Sequence, residues 1–157
     1  MPVTHSPLRY PGGKTQLSDF VANLIELNNI ESATYIEPFA GGSGVSLKLL
    51  FDGVVKHIVI NDYDKSIYSV WNAIINHTEH FIYLLENTPV TIEEWKKQKD
   101  IYLKNRTYMN SVEGGFATFF LNRTNVSGII SGGPIGGYEQ KGKYKLDCRF
   151  NKASLTG

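Results

Sequence analysis

Two short apolar runs, each followed by a turn and a helical pattern, dominate the first half of the chain. The first includes Tyr35 and Ile36, ends at Pro38, and is followed by a glycine-rich turn and the helically spaced apolar residues of "VSLKLLF". The second, "HIVI", leads through the polar break "NDYD" into a segment from Lys65 to His77 whose apolar residues share one helical face. This strand–helix–strand–helix order predicts an α/β fold with a parallel sheet and right-handed crossovers.

The second half of the chain is predicted to be helical and then irregular. Thr91 and Glu94 have the spacing of a capping box, which predicts a helix that runs towards Asn105. "GGFATFFLNRT" is predicted to form another short helix. The stretch "NVSGIISGGPIGGYEQKGKYK" is dense in glycine and follows no period, so it is predicted to be a long loop. Such loops in compact domains are more often functional or mobile than structural.

The composition is that of an ordinary globular protein. The chain has 157 residues, of which 41% are hydrophobic, so it is long enough for one domain with its own core. No run approaches the roughly 20 apolar residues of a membrane span, and the N-terminus lacks the apolar core of a signal peptide. A single cysteine, Cys148, argues against disulfides and a cysteine-cluster zinc site, and the histidines show no ligand spacing. We therefore expect a cytoplasmic protein with no metal and no membrane association.

Net charge is only +1, yet lysines are concentrated in two stretches of the second half, "WKKQKDIYLKNR" and "QKGKYKLDCRFNK". Each stretch fits either a solvated surface or a surface that contacts phosphates. Charge alone therefore leaves the type of partner open.

The N-terminal "GGKT" resembles the end of a phosphate-binding P-loop, whose pattern is G-x-x-x-x-G-K-[ST]. If Gly13 is the second glycine of that pattern, the first must stand at position 8. Leu8 occupies that position, and too few residues precede it for the strand that such a loop follows. The sequence therefore argues against a nucleoside triphosphatase.

The turn after the first strand contains Gly41, Gly42 and Gly44, and the second strand leads to Asp62 about 20 residues further on. Glycines at such a turn let the backbone approach a nucleotide-like ligand, and an acid at the second position accepts hydrogen bonds from ribose hydroxyls. A dinucleotide and S-adenosylmethionine both fit this plan, but the dinucleotide pattern needs a third glycine where Leu47 stands. "EPFAGGSG" instead resembles the Phe-x-Gly-x-Gly turn of S-adenosylmethionine-dependent methyltransferases, whose cofactor carries no pyrophosphate. Asp62 could alternatively cap the following helix.

The segments "LRYPGGKTQL", "YIEPFAGGSGVSL" and "VINDYDKSIYSVWNAI", in this order, resemble the start of a Dam-type DNA adenine methyltransferase. "FATFFLNRTNVSG" resembles the entry to that family's DNA-recognition region, and "CRFNKASL" the segment that closes it. The resemblance implies a Rossmann-like, S-adenosylmethionine-dependent methyltransferase fold with a helical and loop DNA-recognition insertion. The family's cofactor-binding positions, the first of them more often tryptophan there, fall here on Tyr10, Lys14, Phe39, Gly41, Ser43 and Asp62.

The resemblance also implies that double-stranded DNA is the partner. Asn and Arg side chains can read adenine and guanine edges bidentately, although they also occur as ordinary loop polars. The expected DNA-binding residues are Asn122, Arg123, Asn125, Tyr138 and Lys143. We expect residues 122–138 to be mobile without DNA and to face it when bound.

The family holds a flipped adenine with an Asp-Pro-Pro-Tyr motif, and no Pro-Pro dipeptide occurs in this sequence. We therefore expect a truncated fold without catalytic residues, in which residues 1–85 bind the cofactor and residues 86–157 form an incomplete DNA-recognition region. Such a chain would be inactive unless a C-terminal half or second chain completed the sheet. The alternative is a non-catalytic module that binds DNA or cofactor.

Overall fold

The computed structural model describes residues 5–9 and 14–156 and divides into two compact units between Tyr63 and Asp64. The sequence-based division at residue 85 separates expected functions rather than compact units, and it stays a prediction.

The N-terminal unit contains a short parallel sheet and two helices. After a 3-10 turn at Thr15–Leu17, its elements in chain order are α1 (Ser18–Leu27), β1 (Thr34–Glu37), α2 (Gly44–Phe51) and β2 (His57–Ile60). The strands pair in parallel with Thr34 opposite His57 and Glu37 opposite Ile60. The prediction that the two apolar runs form adjacent parallel strands is therefore confirmed.

One face of this sheet is packed and the other is exposed. Tyr35 and Ile58 lie against the buried cluster of Val45, Leu49 and Val55, as do partly buried apolar residues of α1. On the opposite face Ile36 and Val59 stand opposite each other in register and are 62% and 49% exposed. Successive side chains of a strand point to opposite faces, so these two apolar side chains share one open surface.

The C-terminal unit is helical in its described residues. Its elements are α3 (Lys65–Asn76), α4 (Thr78–Asn87), α5 (Ile92–Asn105), α6 (Val112–Thr124) and α7 (Lys152–Thr156), with 3-10 turns at Val126–Gly128 and Leu146–Arg149. The predicted cap of α5 by Thr91 is confirmed, because the hydroxyl of Thr91 accepts from the backbone N–H of Glu94, and α5 ends at Asn105 as expected.

Helix α6 is the centre of this unit. It packs against α3 and α5, and it is buried almost all round. A Cβ on Gly115 would overlap the carbonyl oxygen of Ser69, so glycine allows the backbones of α3 and α6 to touch. The aromatic rings packed on this helix have centroid separations of 5.2–6.3 Å and belong to Phe81, Phe116, Phe119, Phe120 and Phe150.

The result is a mixed helix and strand protein whose described residues form a two-stranded parallel sheet. This agrees with the predicted α/β class, while the full Rossmann-like arrangement stays a prediction. Within the described ranges, no helix has both the length and the apolar character that crossing a membrane demands.

Candidate functional site

The carboxyl ends of β1 and β2 bring the glycine turn and the predicted ribose acid together. The backbone N–H of Gly41 donates to Oδ2 of Asp62 at 2.8 Å. Gly41 has a φ of +49°, a left-handed conformation that glycine adopts without strain. The backbone of Ala40 also donates to the carbonyl of Asn61, at 2.9 Å. The two residues that the sequence singled out after separate strands therefore lie together at one end of the sheet.

The alternative role of Asp62 as a helix cap does not hold, because Asp64 caps α3. The Asp64 carboxylate accepts from the backbone N–H of Ser66 at 2.8 Å and also from its hydroxyl. Asp62 is half-buried and bonded to the glycine turn, so it faces the end of the sheet.

The N-terminus of α2 is capped by a residue that the sequence did not indicate. Ser43 occupies the cap position in a left-handed conformation, with a φ of 52°, and its side chain makes no cap bond. Instead Oε2 of Glu37, at the end of β1, accepts from the backbone N–H of Ser46 at 3.3 Å and from the Ser46 hydroxyl. Glu37 is only 6% exposed. An acid in an otherwise apolar strand was the signal that could have found it.

The carboxylate of Glu37 also acts on its neighbour in β1. Burial, and secondly the negative charge of Glu37, raise the pKa of Tyr35 above its ordinary value. Glu37 lies two residues after Tyr35 in β1, so the two side chains are on the same face of the sheet.

Two further features surround this helix terminus. Within the described residues, the fully buried hydroxyl of Ser43 has no hydrogen-bond partner. Thr15, which follows the N-terminal glycine segment, packs so closely on Gly44 that a Cβ there would overlap its hydroxyl. Thr15 and the glycine turn are therefore neighbours.

The other predicted cofactor residues lie at the surface or outside the described ranges. Lys14 is exposed, and Phe39 is 68% exposed directly after β1. Tyr10 lies outside the described residues. Tyr63, which the sequence reasoning missed, directly follows Asp62 and is 89% exposed. Exposed aromatic rings thus follow both strands.

In the C-terminal unit, two of the predicted DNA-binding residues are interior amides. Asn122 is 1% exposed and its Nδ2 donates to the carbonyl of Gly128 at 2.9 Å. Asn125 is fully buried and its Nδ2 lies 2.9–3.2 Å from three loop carbonyl oxygens, those of Ile129, Ile130 and Gly132. In this conformation neither amide can reach a base edge. Their assignment to DNA contact stays a prediction that requires the loop to open.

The remaining three predicted DNA-binding residues are more accessible. The Arg123 guanidinium is half-buried, with its carbon 6.0 Å from the centroid of the Phe119 ring. Tyr138 is 60% exposed, and Lys143 is exposed with its ammonium 5.7 Å from the centroid of the Tyr144 ring. Exposed lysines that alternate with exposed aromatic rings are a combination suited to phosphates and unstacked bases.

A groove of about 440 Å³ lies between the start of α5 and the segment from 138 to 146. Its lining includes Glu93 and Glu139 as well as Lys96, so its mixed charge does not favour a phosphate. Across residues 5–9 and 14–156, no cluster of three or more His, Cys, Asp or Glu side chains could hold a metal ion.

Comparison with known proteins agrees with the motifs. Residues 10–156 match the model of the D12 class N6 adenine-specific DNA methyltransferases. The chain is also 28% identical, over 160 aligned residues, to the type II methyltransferase M.MjaIII of Methanocaldococcus jannaschii. That alignment covers 94% of this chain and 55% of the relative, so the chain spans about half of the relative's length. The family match extends over nearly all of the sequence, and the chain belongs to the D12 class N6 adenine-specific DNA methyltransferase family.

Proposed function

We propose that this chain supplies the S-adenosylmethionine pocket and part of the DNA-recognition surface of an adenine-specific DNA methyltransferase. The observation that carries the proposal is the hydrogen bond between Gly41 and Asp62. It joins a glycine turn to an acid at the carboxyl ends of adjacent parallel strands, which is where open α/β sheets bind nucleoside-like ligands.

The charge at the start of α2 favours this cofactor over a phosphate-bearing one. A free helix N-terminus attracts phosphates through its unpaired amides and its dipole. Here the carboxylate of Glu37 already accepts from Ser46, so a pyrophosphate would meet a negative charge instead of open donors. A ligand with a sulfonium cation and no phosphate suits that site.

The remaining contacts follow from the positions of the side chains. Asp62 would accept hydrogen bonds from the ribose hydroxyls, and the exposed rings of Phe39 and Tyr63 could pack on the adenine of the cofactor. Gly41 and Ser43 would belong to the turn that borders the pocket. Lys14 and Tyr10 would complete the pocket from the N-terminal segment.

Double-stranded DNA would contact the C-terminal unit. Tyr138 and Lys143 are exposed, and Arg123 lies at the end of α6. Adenine must leave the duplex before its amino group can react, at a cost of a few kcal/mol. An exposed surface of lysines and aromatic rings provides both phosphate contacts and stacking for such a distorted duplex.

The chemical step would need groups that these 157 residues do not contain. The lone pair of the adenine amino nitrogen is delocalised into the ring, so acceptors must be placed on its hydrogens while the nitrogen attacks the sulfonium methyl. No Asp-Pro-Pro-Tyr motif occurs in the sequence. We propose that a further segment, corresponding to the part of M.MjaIII outside the alignment, supplies this motif and covers the open face of Ile36 and Val59.

Titration calorimetry with S-adenosylmethionine tests the cofactor site. Asp62→Ala is expected to weaken binding by about 1.5–3 kcal/mol, the usual contribution of a hydrogen bond to a charged group. Asp62→Asn keeps an oxygen that can accept from Gly41, so it separates loss of the turn from loss of the charge. Asp147→Ala removes an exposed acid of the other unit and is the matched control. Unchanged affinity in both Asp62 variants would refute the ribose assignment.

Methyl transfer from labelled S-adenosylmethionine to adenine-containing duplex DNA tests the activity. We expect transfer only when a C-terminal fragment carrying Asp-Pro-Pro-Tyr is added. Transfer by the isolated chain would show that its own residues perform the chemistry. Binding without transfer, even with the fragment, would favour the alternative of a non-catalytic module.

A further inference from the structure

The glycine-rich segment after α6 has two parts that contact the same side chain. We call residues 126–132 the first arm and residues 138–145 the second arm. The carbonyl oxygens of the first arm turn inward to the buried amides of Asn122 and Asn125. Its side chains at Val126 and Ile129 are 55% and 49% exposed.

The indole of Trp95, on α5, joins the two arms. Its Nε1 donates to Oδ1 of Asn125 at 2.7 Å, and Asn125 in turn holds the first arm. Its ring meets the Tyr138 ring edge to face, with centroids 5.6 Å apart and planes at 84°. Tyr138 begins the second arm, so a single buried indole is linked to the first arm through Asn125 and packs directly on the second.

Lys99 reinforces this connection from the next turn of α5. Its ammonium lies 5.7 Å from the centroid of the Trp95 ring and donates to the carbonyl of Ile130 at 3.2 Å. Ser127, the second residue of the first arm, adopts a left-handed φ of 57° that is disfavoured for a residue other than glycine. Such a conformation persists only where surrounding contacts fix it.

We propose that Trp95 and Asn125 are positioning residues that hold both arms in one conformation before DNA binds. The proposal rests on the proposed function and runs opposite to the mobility expected from the glycine content. A segment that is ordered in advance loses less conformational entropy when it binds. The two residues would thus contribute to DNA affinity without touching DNA.

Three single variants of the full chain test this proposal. Asn125→Asp keeps the acceptor for the indole N–H but removes the donors to the first arm. Trp95→Phe keeps an aromatic ring beside Tyr138 but removes the N–H. Trp71→Phe makes the same chemical change at the other buried tryptophan, in α3, and is the control for a general loss of core packing.

Binding to a fluorescein-labelled duplex is measured at several salt concentrations, below the melting temperature of every variant. Asn125→Asp and Trp95→Phe are expected to weaken binding about 3- to 10-fold, as the loss of one or two buried hydrogen bonds implies. The dependence on salt should not change, because no phosphate contact is removed. Calorimetry should show a less favourable entropy of binding, and the amides of Gly128 and Ile135 should exchange hydrogen faster.

The possible results separate two failures. If the wild-type chain binds the duplex and both variants bind as Trp71→Phe does, the positioning role is overturned while the proposed function stands. If the wild-type chain does not bind duplex DNA, the DNA-recognition surface itself is refuted and the positioning role falls with it.

Discussion

The two units keep their chemically informative residues in opposite kinds of surroundings. In the N-terminal unit the candidate site lies at the open end of a two-stranded sheet, where Phe39 and Tyr63 are largely exposed. In the C-terminal unit the polar residues near the glycine-rich segment, Asn122 and Asn125, are sealed inside and hydrogen-bonded.

The difference lies in how the backbone N–H and C=O groups of each unit find hydrogen-bond partners. The ends of parallel strands and the start of α2 leave polar groups that a ligand can use. An irregular segment has no ladder of its own, so buried amides must accept or donate to its backbone groups. Asp62, which follows a strand end, is therefore a candidate for contact with a ligand, whereas Asn122 and Asn125, beside a glycine-rich loop, first satisfy the carbonyls of that loop.

The largest expected difference between the units is in the response to loss of a phenylalanine ring. Phe120→Ala should lower the free energy of unfolding by about 3–5 kcal/mol, because the ring is fully buried in the C-terminal unit. Phe39→Ala should change it by no more than about 0.5 kcal/mol, since that ring is 68% exposed, and should weaken cofactor binding instead. Urea unfolding is followed by circular dichroism, which reports on the helices of both units, and by tryptophan fluorescence, which reports on the C-terminal unit because Trp71 and Trp95 both lie there. Equal losses of unfolding free energy in Phe120→Ala and Phe39→Ala would contradict the expected difference between the two units.

The next largest effect concerns the cap of α2. Glu37→Ala leaves the buried donors of Ser46 without their acceptor and should cost about 1–3 kcal/mol in unfolding free energy. Glu37→Gln should cost less because it keeps an oxygen. Glu31→Ala removes an exposed acid of the same unit and is the control.

The substitution Glu37→Gln should also change the pKa of Tyr35. Because the pKa of Tyr35 is raised in the folded state, protonation of its phenol stabilises the fold relative to the unfolded chain. This stabilisation is complete below the ordinary pKa of about 10 and is lost as the pH rises through the folded pKa. Glu37→Gln should lower the pKa of Tyr35 while leaving the larger effect of burial. NMR of labelled tyrosine through an alkaline titration would measure it, and an unchanged pKa would exclude a charge effect of Glu37.

Helix caps provide a smaller contrast. Thr91→Ala removes the side-chain cap of α5 and should lower the unfolding free energy by about 1 kcal/mol. Ser43→Gly, at the equivalent position of α2, should change it by less than about 0.5 kcal/mol, because no cap bond is lost and glycine tolerates the left-handed conformation. Circular dichroism during urea unfolding compares the two, and similar losses would mean that Ser43 does cap its helix.

The smallest effect is expected in the salt dependence of DNA binding. Lys143→Ala should reduce the slope of log affinity against log salt by about 0.9 if the lysine contacts one phosphate. Lys56→Ala removes an exposed lysine of the N-terminal unit and should leave the slope unchanged. Fluorescence anisotropy titrations would show whether the phosphate contacts are made by the C-terminal unit. Identical slopes for Lys143→Ala and the wild-type chain would exclude Lys143 as a phosphate contact.

Local patterns predicted the elements well, because each depends on residues close in sequence. The parallel strands, the helix from Lys65, and the cap at Thr91 were all expected from spacing and turn residues. The meeting of Gly41 and Asp62 was also expected, since parallel strands place their carboxyl ends at one edge.

What the sequence could not reveal depends on contacts between distant residues. The reach of Glu37 to α2 and the bond from Trp95 to Asn125 join residues 9 and 30 positions apart, and neither leaves a periodic signal. The burial of Asn122 and Asn125 was missed for the same reason, because composition alone marks them as loop polars. The packing around α6 and the carbonyls of the following loop make them interior residues.

The backbone contact between Gly115 and Ser69 limits how this family member can change over evolutionary time. Any side chain at position 115 would force α3 and α6 apart, so the codon is constrained to glycine while neighbouring core positions can exchange one apolar residue for another of similar volume. Sequence drift in the C-terminal unit should therefore be accommodated around this point, with α4 and the exposed face of α5 changing first and the α3–α6 crossing last.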